Sequence, residues 1–374
     1  MAAIPEPKDT TVAAIYAAVA KSEAEERRAH LGASQLGKEC RRALWYGFRW
    51  CDEPETDGRV LRLFRRGKLE EAQLTADLRA AGVEVHTHDE HGQQFQFSDV
   101  GGHVGGSMDG AGQGFIEAPK AWHVIEFKTH GAKSFATLTK KGAREAKPEH
   151  WAQMQLYMHW SGMDRAAYLA VCKDTDDLYF ERIHYDREAA ERLIAKARAI
   201  IEAPEPLERL SEDTTYYQCR FCNARRVCHE KRLPGPSCRT CVHSTPELDG
   251  AGRWSCAYHM KDLSAFEQGA GCDDHVYIPA LVPLDFKGGD ADGNWAEYHL
   301  PDGTQVHNGT PKHGSYSSAE LYAAQDSGFK ALTLEFVQYL RAQMGGTLEA
   351  SSSDDPDDWE SLKAALPLPG ERAA

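Results

Sequence analysis

The chain has 374 residues, with 43 Lys or Arg, 57 Asp or Glu and ten Cys; at roughly 150 residues per domain this allows two or three domains. A composition of 41% hydrophobic and 27% charged residues excludes a fibrous or wholly disordered chain. The net charge of −14 would argue against a nucleic-acid ligand only if it were evenly spread. It is not: Val282 to Ala374 holds 15 acidic against 6 basic residues, whereas Lys128 to Lys147 holds six basic residues and one acid, and Arg59 to Lys68 is also basic. No apolar run approaches the roughly 18 to 20 residues of a membrane-spanning helix, and the N-terminus lacks the pattern of a secretory signal. The expected setting is a reducing cytoplasm with no membrane partner, where ten thiols point to metal or cluster ligation rather than disulfides.

In chain order, Val12, Ile15, Tyr16 and Val19 recur at helical spacing and predict an amphipathic helix from Thr10 to about Arg28, a segment of its own over 1–30. A second helix is predicted from Ser34 through Cys40, Trp45 and Phe48, and a third from Arg59 to about Ala81, stopped by Gly82. The period then changes to two: Val83, Val85 and Thr87 alternate, as do Phe95 and Phe97, while Gly101 to Gly106 reads as a turn. A strand over His123 to Lys128, a helix over Pro148 to Trp160, strands over Tyr168 to Lys173 and Leu178 to Tyr185, and a helix over Glu188 to Glu202 complete the pattern. This predicts an α/β core with helices on a mixed sheet, spanning 31–233. A cysteine-rich stretch (234–280), a small α+β region (281–345) and an acidic Ser- and Asp-rich tail (346–374) follow. Within these, a strand is predicted over Trp295 to Leu300, helices over Ser318 to Ala324 and Leu332 to Met344, and disorder from Glu349.

Glu126 and Lys128 lie two apart on a predicted strand and so share a face. Asp109 sits in Gly105-Gly106-Ser107-Met108-Asp109-Gly110, and Glu70 and Glu71 follow Gly67 on the long helix. Two or three carboxylates with one lysine is the set that holds Mg²⁺ or Mn²⁺ and cuts a phosphodiester. The order Gly67-x-x-x-Glu71, Gly105-x-x-x-Asp109-Gly110, Ile125-Glu126-Phe127-Lys128 and Gln153-x-x-x-Tyr157 resembles the PD-(D/E)XK nucleases, in particular their RecB-like branch. The resemblance implies a restriction-endonuclease-like core, a metal site of Glu71, Asp109, Glu126 and the Phe127 carbonyl, a water-directing Lys128, and Gln153 and Tyr157 beside DNA. Glu70 is the alternative to Glu71; many members carry a histidine at this place.

Cys219-x2-Cys222-x5-Cys228 is a compact set of three soft ligands. With Cys40 as the fourth, it resembles the iron-sulfur RecB-like nucleases, among them the CRISPR-associated and AddB-like types, and implies a [4Fe-4S] clasp; four thiolates alone do not separate a cluster from zinc. Cys238-x2-Cys241-x14-Cys256-x15-Cys272 reads as a structural Zn²⁺ set, with His243, His259 and His275 as alternative ligands. Cys51 and Cys172 are expected as small apolar fillers.

The expected function is a metal-dependent deoxyribonuclease, an exonuclease of recombination, repair, phage DNA processing or CRISPR adaptation. Arg41, Arg42, Arg62, Arg65, Arg66, Lys133, Lys140 and Lys141 are candidate backbone contacts to single- or double-stranded DNA. No Walker motif is present, so a helicase, recombinase or single-strand-binding protein is an expected partner rather than part of the chain. The alternative is a non-catalytic DNA-binding scaffold that recruits partners through the zinc set and acidic C-terminal region.

Overall fold

A computed structural model describes residues 10–23, 27–52, 57–310 and 315–333. They divide into two compact units: 10–231 with 243–269, and 232–242 with 270–333. The cysteine-rich stretch is thereby shared, with Cys256 in the first unit and Cys238, Cys241 and Cys272 in the second. Most of the helix expected over Leu332 to Met344, and the tail from Glu349, lie outside the described residues. No described helix is long and apolar enough to cross a membrane.

The first unit is the mixed α/β arrangement that the sequence predicts. Helix α1 (Thr11–Ser22) packs on α4 (Gly58–Ala80), whose N-terminus is capped by the Asp57 carboxylate accepting from the Arg59 and Val60 amides. Beyond α4, Gly82 turns with φ +89° and β2 (Glu84–His86) begins. A five-stranded sheet runs β2, β5 (Gly110–Gln113), β6 (His123–His130), β7 (Arg165–Cys172), β8 (Leu178–His184), with β6 and β7 parallel and the other neighbours antiparallel. Alternation along β6 buries Ile125 and Phe127 in a core with Leu74 of α4, Val85, Ala167 and Leu169. Glu126, Lys128 and His130 consequently project from the other face, where α5 (Ala132–Ala146) and α6 (Pro148–Ser161) pack. Helix α7 (Arg187–Ile201) lies against α6 and against α3 (Arg41–Phe48).

The sequence misplaces three features of this unit. The single helix expected from Ser34 is two, α2 (Ala33–Leu36) and α3, with Cys40 capping α3. The break falls at Gly37, where a Cβ would stand 2.5 Å from the Glu149 Cα of α6. Lys196 of α7 donates to the carbonyls of Leu36 and Lys38 there, serving groups that a helix end leaves without intrahelical partners. The glycine run expected as a turn contains a strand, β4 (Val104–Ser107), between β1 (Leu31–Gly32) and β3 (Gln96–Asp99). Helix α5 was not expected; it buries Phe135 and Leu138 and kinks at Gly142.

The 243–269 segment carries the hairpin strands β9 (Ser244–Pro246), β10 (Trp254–Cys256) and β11 (Lys261–Leu263), followed by α10 (Ala265–Ala270). The buried Arg49 fixes it to α3: its guanidinium lies 5.0 Å from the Trp254 ring and 5.7 Å from Trp45, and donates to the Ser244 carbonyl.

The second unit is a three-stranded antiparallel sheet, β12 (Asp285–Asp290), β13 (Trp295–His299) and β14 (Gln305–Gly309), with α11 (Ser318–Ala324). Ala296, Tyr298 and Val306 turn inward onto Tyr277, Leu321 and Phe329. His275, an alternative zinc ligand in the sequence, has both ring nitrogens engaged, Nδ1 with Ser318 Oγ at 2.7 Å and Nε2 with the Ser237 carbonyl at 2.9 Å and Thr240 Oγ1 at 3.0 Å. Its ring is thus committed to the fold of this unit.

Candidate active site

Strand β5 starts at Gly110, paired with Ile125, so among the described residues β6 beyond Ile125 has no strand paired on that side. The amide of Phe127 points into the gap and donates to Asp109 Oδ2 at 2.9 Å. Its carbonyl leaves the strand from the same edge, and Phe127 lines a cleft there. Asp109 occupies the bend between β4 and β5 that opens this gap.

On the other side of Phe127, Glu126 is 0% exposed and Lys128 Nζ pairs with its Oε1. Glu126 Oε2 is buried with no hydrogen-bond partner. Burial pushes the Glu126 carboxyl up to about 8, with Lys128 pulling it down and Asp109 and Glu71 pushing it further up. Asp109 is also raised by burial, against Lys128 and the Phe127 amide. Burial works to lower Lys128, but Glu126, Asp109 and Glu71 overrule it and hold the ammonium above its ordinary value. Glu71 of α4 is raised by burial and by Asp109, and lowered by Lys128. The expected Asp109, Glu126, Lys128 and Glu71 therefore sit within one electrostatic neighbourhood.

An orphaned buried carboxylate oxygen beside a second carboxylate and a strand-edge carbonyl is a donor set suited to a hard divalent cation. As they stand, no three His, Cys, Asp or Glu side chains among the described residues form an ion-holding group. Lys128 holds the Oε1 side of Glu126, leaving Oε2, Asp109 and the Phe127 carbonyl as the hard donors.

Gln153 and Tyr157, one turn apart on α6, close the site from the opposite wall. Gln153 Nε2 donates to Tyr157 OH at 3.2 Å, and that hydroxyl donates to the Ser107 carbonyl at 2.7 Å. Tyr157 reaches Ser107 because residue 106 is glycine: a Cβ there would stand 2.7 Å from the hydroxyl. The cleft between these walls, about 870 Å³, is also lined by Arg28, His30, Ser34, Lys68 and Arg79. None of these five was singled out from the sequence. Arg28 and Arg79 lie outside the recognised motifs, and Lys68, which ends the basic run from Arg59, occupies an unspecified position within Gly67-x-x-x-Glu71.

A second omission lies further along β6. His130 Nε2 and His150 Nδ1 both bond Tyr168 OH, at 3.0 and 2.8 Å, and Tyr168 is in register with Glu126. Burial lowers both histidines, His130 to about 4 and His150 to about 3, and Lys128 adds to the depression of each. Neutral imidazoles thus surround Tyr168 on the face that carries Lys128. The i, i+2, i+4 run of Glu126, Lys128 and His130 was the available signal.

The proposed DNA contacts are more dispersed. Arg42 is tied into the fold, donating to the Leu207 carbonyl at 2.7 Å and to Tyr46 OH at 3.0 Å. Arg65 pairs with Glu23, Arg66 with Glu70 and Lys141 with Glu145. Arg41, Arg62, Lys133 and Lys140 are exposed.

Cys40, Cys219, Cys222 and Cys228 line one pocket of about 530 Å³. Burial raises the thiols of Cys219 and Cys222, and the proximity of Cys40 and Cys228 raises both further. Cys40 at the N-cap of α3, Cys219 in α8 (Tyr217–Arg220), Cys222 in the loop that follows and Cys228 in α9 (Arg225–Cys228) bring soft ligands to one pocket, although as placed they form no ion-holding group. Cys51 and Cys172 are buried.

No family model and no curated protein matches this chain. Among solved structures it is similar to SSO0001, with 14% identity over 59% of this chain and 97% of that one and a TM-score of 0.37. It is also similar to the alkaline exonuclease LHK-Exo from Laribacter hongkongensis, with 18% identity, coverage of 46% and 87%, and a TM-score of 0.35. The LHK-Exo complex with dAMP gives 16% identity, 50% and 89%, and a TM-score of 0.34.

Proposed function

We propose that the chain is a metal-dependent deoxyribonuclease of the PD-(D/E)XK type, hydrolysing phosphodiester bonds by end-directed attack on DNA. The observation that carries this reading is the pairing at β6: Asp109 fixed by the Phe127 amide, next to Glu126 with one oxygen on Lys128 and the other unpartnered. A salt-bridge pair serving stability alone would have both carboxylate oxygens satisfied.

Asp109, Glu126 and the Phe127 carbonyl, with Glu71 in support, would hold Mg²⁺ or Mn²⁺, which would supply Lewis-acid polarisation of the phosphoryl group and lower the pKa of a water. The chain's own residues do the rest. Lys128, kept protonated by three carboxylates, orients the attacking water and offsets charge developing on the phosphoryl oxygens. Gln153 and Tyr157 hold the opposite wall rigid, and Arg28, Lys68 and Arg79 neutralise DNA phosphates entering the cleft.

End-labelled single- and double-stranded DNA incubated with Mg²⁺ or Mn²⁺ tests the reading. Lys128→Ala should lower the rate about 100-fold or more, with no change in melting temperature large enough to explain it. Equal rates for parent and variant would remove Lys128 from the mechanism.

A further inference from the structure

The loop that carries three of the four clustered cysteines has a feature that ligation does not use. Tyr217 and Phe221 flank Cys219 and leave 64% and 79% of their surfaces exposed, although aromatic rings of this size normally seek burial. The Arg220 guanidinium lies 5.6 Å from the Phe221 ring centroid, and the Tyr216 ring lies 4.9 Å from that of Tyr217, tilted by 58°. From Tyr216 to Arg232 the chain carries five basic residues and one acid, in a protein whose net charge is −14. Arg220 and Arg226 are exposed with the rings.

The position of this loop connects it to the candidate active site. Helix α2 presents Ala33 and Ser34 to the cleft, while Gln35, and Gly37 and Lys38 just beyond the helix, line the cysteine pocket. Helix α6 does the same, with Gln153 and Tyr157 in the cleft and Pro148 and Glu149 at the pocket. Five helical steps separate Pro148 from Gln153, about 7.5 Å, which is about two nucleotides at the rise of a duplex strand.

We propose that Tyr217 and Phe221, with the arginines around them, form a stacking platform for unpaired bases of single-stranded DNA next to the catalytic cleft; this rests on the nuclease reading above for its biological substrate. Exposed rings on a loop engage base faces, and in a duplex those faces are already covered by neighbouring base pairs, so the platform favours a single strand. The surrounding positive charge complements the backbone phosphates, and ring stacking is indifferent to sequence.

The test is fluorescence anisotropy of the full chain with a labelled strand of about 20 nucleotides and with the matching blunt duplex, in Ca²⁺ to suppress turnover. Binding is read without hydrolysis, so the result is independent of whether Lys128 proves catalytic. Tyr217→Ala with Phe221→Ala should raise Kd for the single strand at least about fivefold per lost stack, and the duplex Kd less than twofold. Tyr217→Phe with Phe221→Tyr, which keeps both rings, should bind as the parent does and controls for folding. Equal loss on both DNA forms would make the loop a general phosphate contact, and unchanged single-strand affinity would mean that the rings serve another ligand; either result overturns the proposal.

Discussion

Glu126 is the residue whose ionisation sets the chemistry of the site. Its carboxyl titrates near 8 in the folded chain against an ordinary value near 4.5. Between those values the folded state holds a proton that the unfolded state has lost, so stability is present at low pH and declines as pH rises through the window. The buried His130 and His150 act with the opposite sign: held neutral, they cost stability as pH falls below about 6.5. The clean window for Glu126 is therefore about pH 6.5 to 8. Without divalent cations, the melting temperature of the parent should fall across it, and Glu126→Gln should flatten the slope. Mg²⁺ should stabilise the parent more at pH 8 than at pH 6.5, because binding requires the ionised carboxylate, and should have little effect on Glu126→Gln. Parallel slopes in parent and variant would show that Glu126 is not the titrating group.

At the scale of elements, the site depends on backbones that approach closely where a side chain would block them. Gly106 on β4 makes room for the Tyr157 hydroxyl, and an added methyl would also stand 3.1 Å from Ala33 Cβ. Gly106→Ala should cost about 1–3 kcal/mol in chemical denaturation, the range for overpacking. Tyr157→Phe in the same chain removes the nearest clashing atom, so the double variant should recover part of that loss; strictly additive losses would argue against the contact. This close approach also explains what was legible in the sequence. Glu126 and Lys128 were readable because a strand alternates faces, and α6 because Pro148 and Gly162 mark its ends. Strand β4 was not: its glycines look like a turn in one dimension, and only pairing with β1 and β3, with α2 and Tyr157 packed close, gives them a strand's role. The gap that frees the Phe127 edge was equally hidden, since it depends on where β5 stops pairing. Helix α5 was obscured by Thr137, Thr139 and Gly142, weak helix formers that Phe135 and Leu138 outweigh by burial.

At the scale of the whole molecule, a group bound by Cys40, Cys219, Cys222 and Cys228 would close one of the long loops of the first unit. Cys40 precedes the five-stranded sheet and Cys219 follows that sheet, 179 positions after Cys40, and Arg42 and Trp45 bind the carbonyls of Leu207 and Ala203 across 165 and 158 positions. Closing a loop of that length costs about 4–5 kcal/mol of chain entropy. A metal or cluster on the four thiols would bear that cost in the folded state only, making its insertion part of folding. Hydrogen bonds over comparable spans, these two and Gln218 to Glu39 among them, contribute about 1 kcal/mol each, so no one of them matches it. Cys40→Ser, or removal of a bound group, should therefore lower the melting temperature by about 8–20 °C at the 2–4 °C per kcal/mol typical of a unit this size. Iron and visible absorbance in the purified chain would identify a cluster, and zinc without absorbance the tetrahedral alternative. A chain that contains neither, and in which Cys40→Ser melts with the parent, would reduce the four thiols to packing and leave the fold closed by its hydrogen bonds alone.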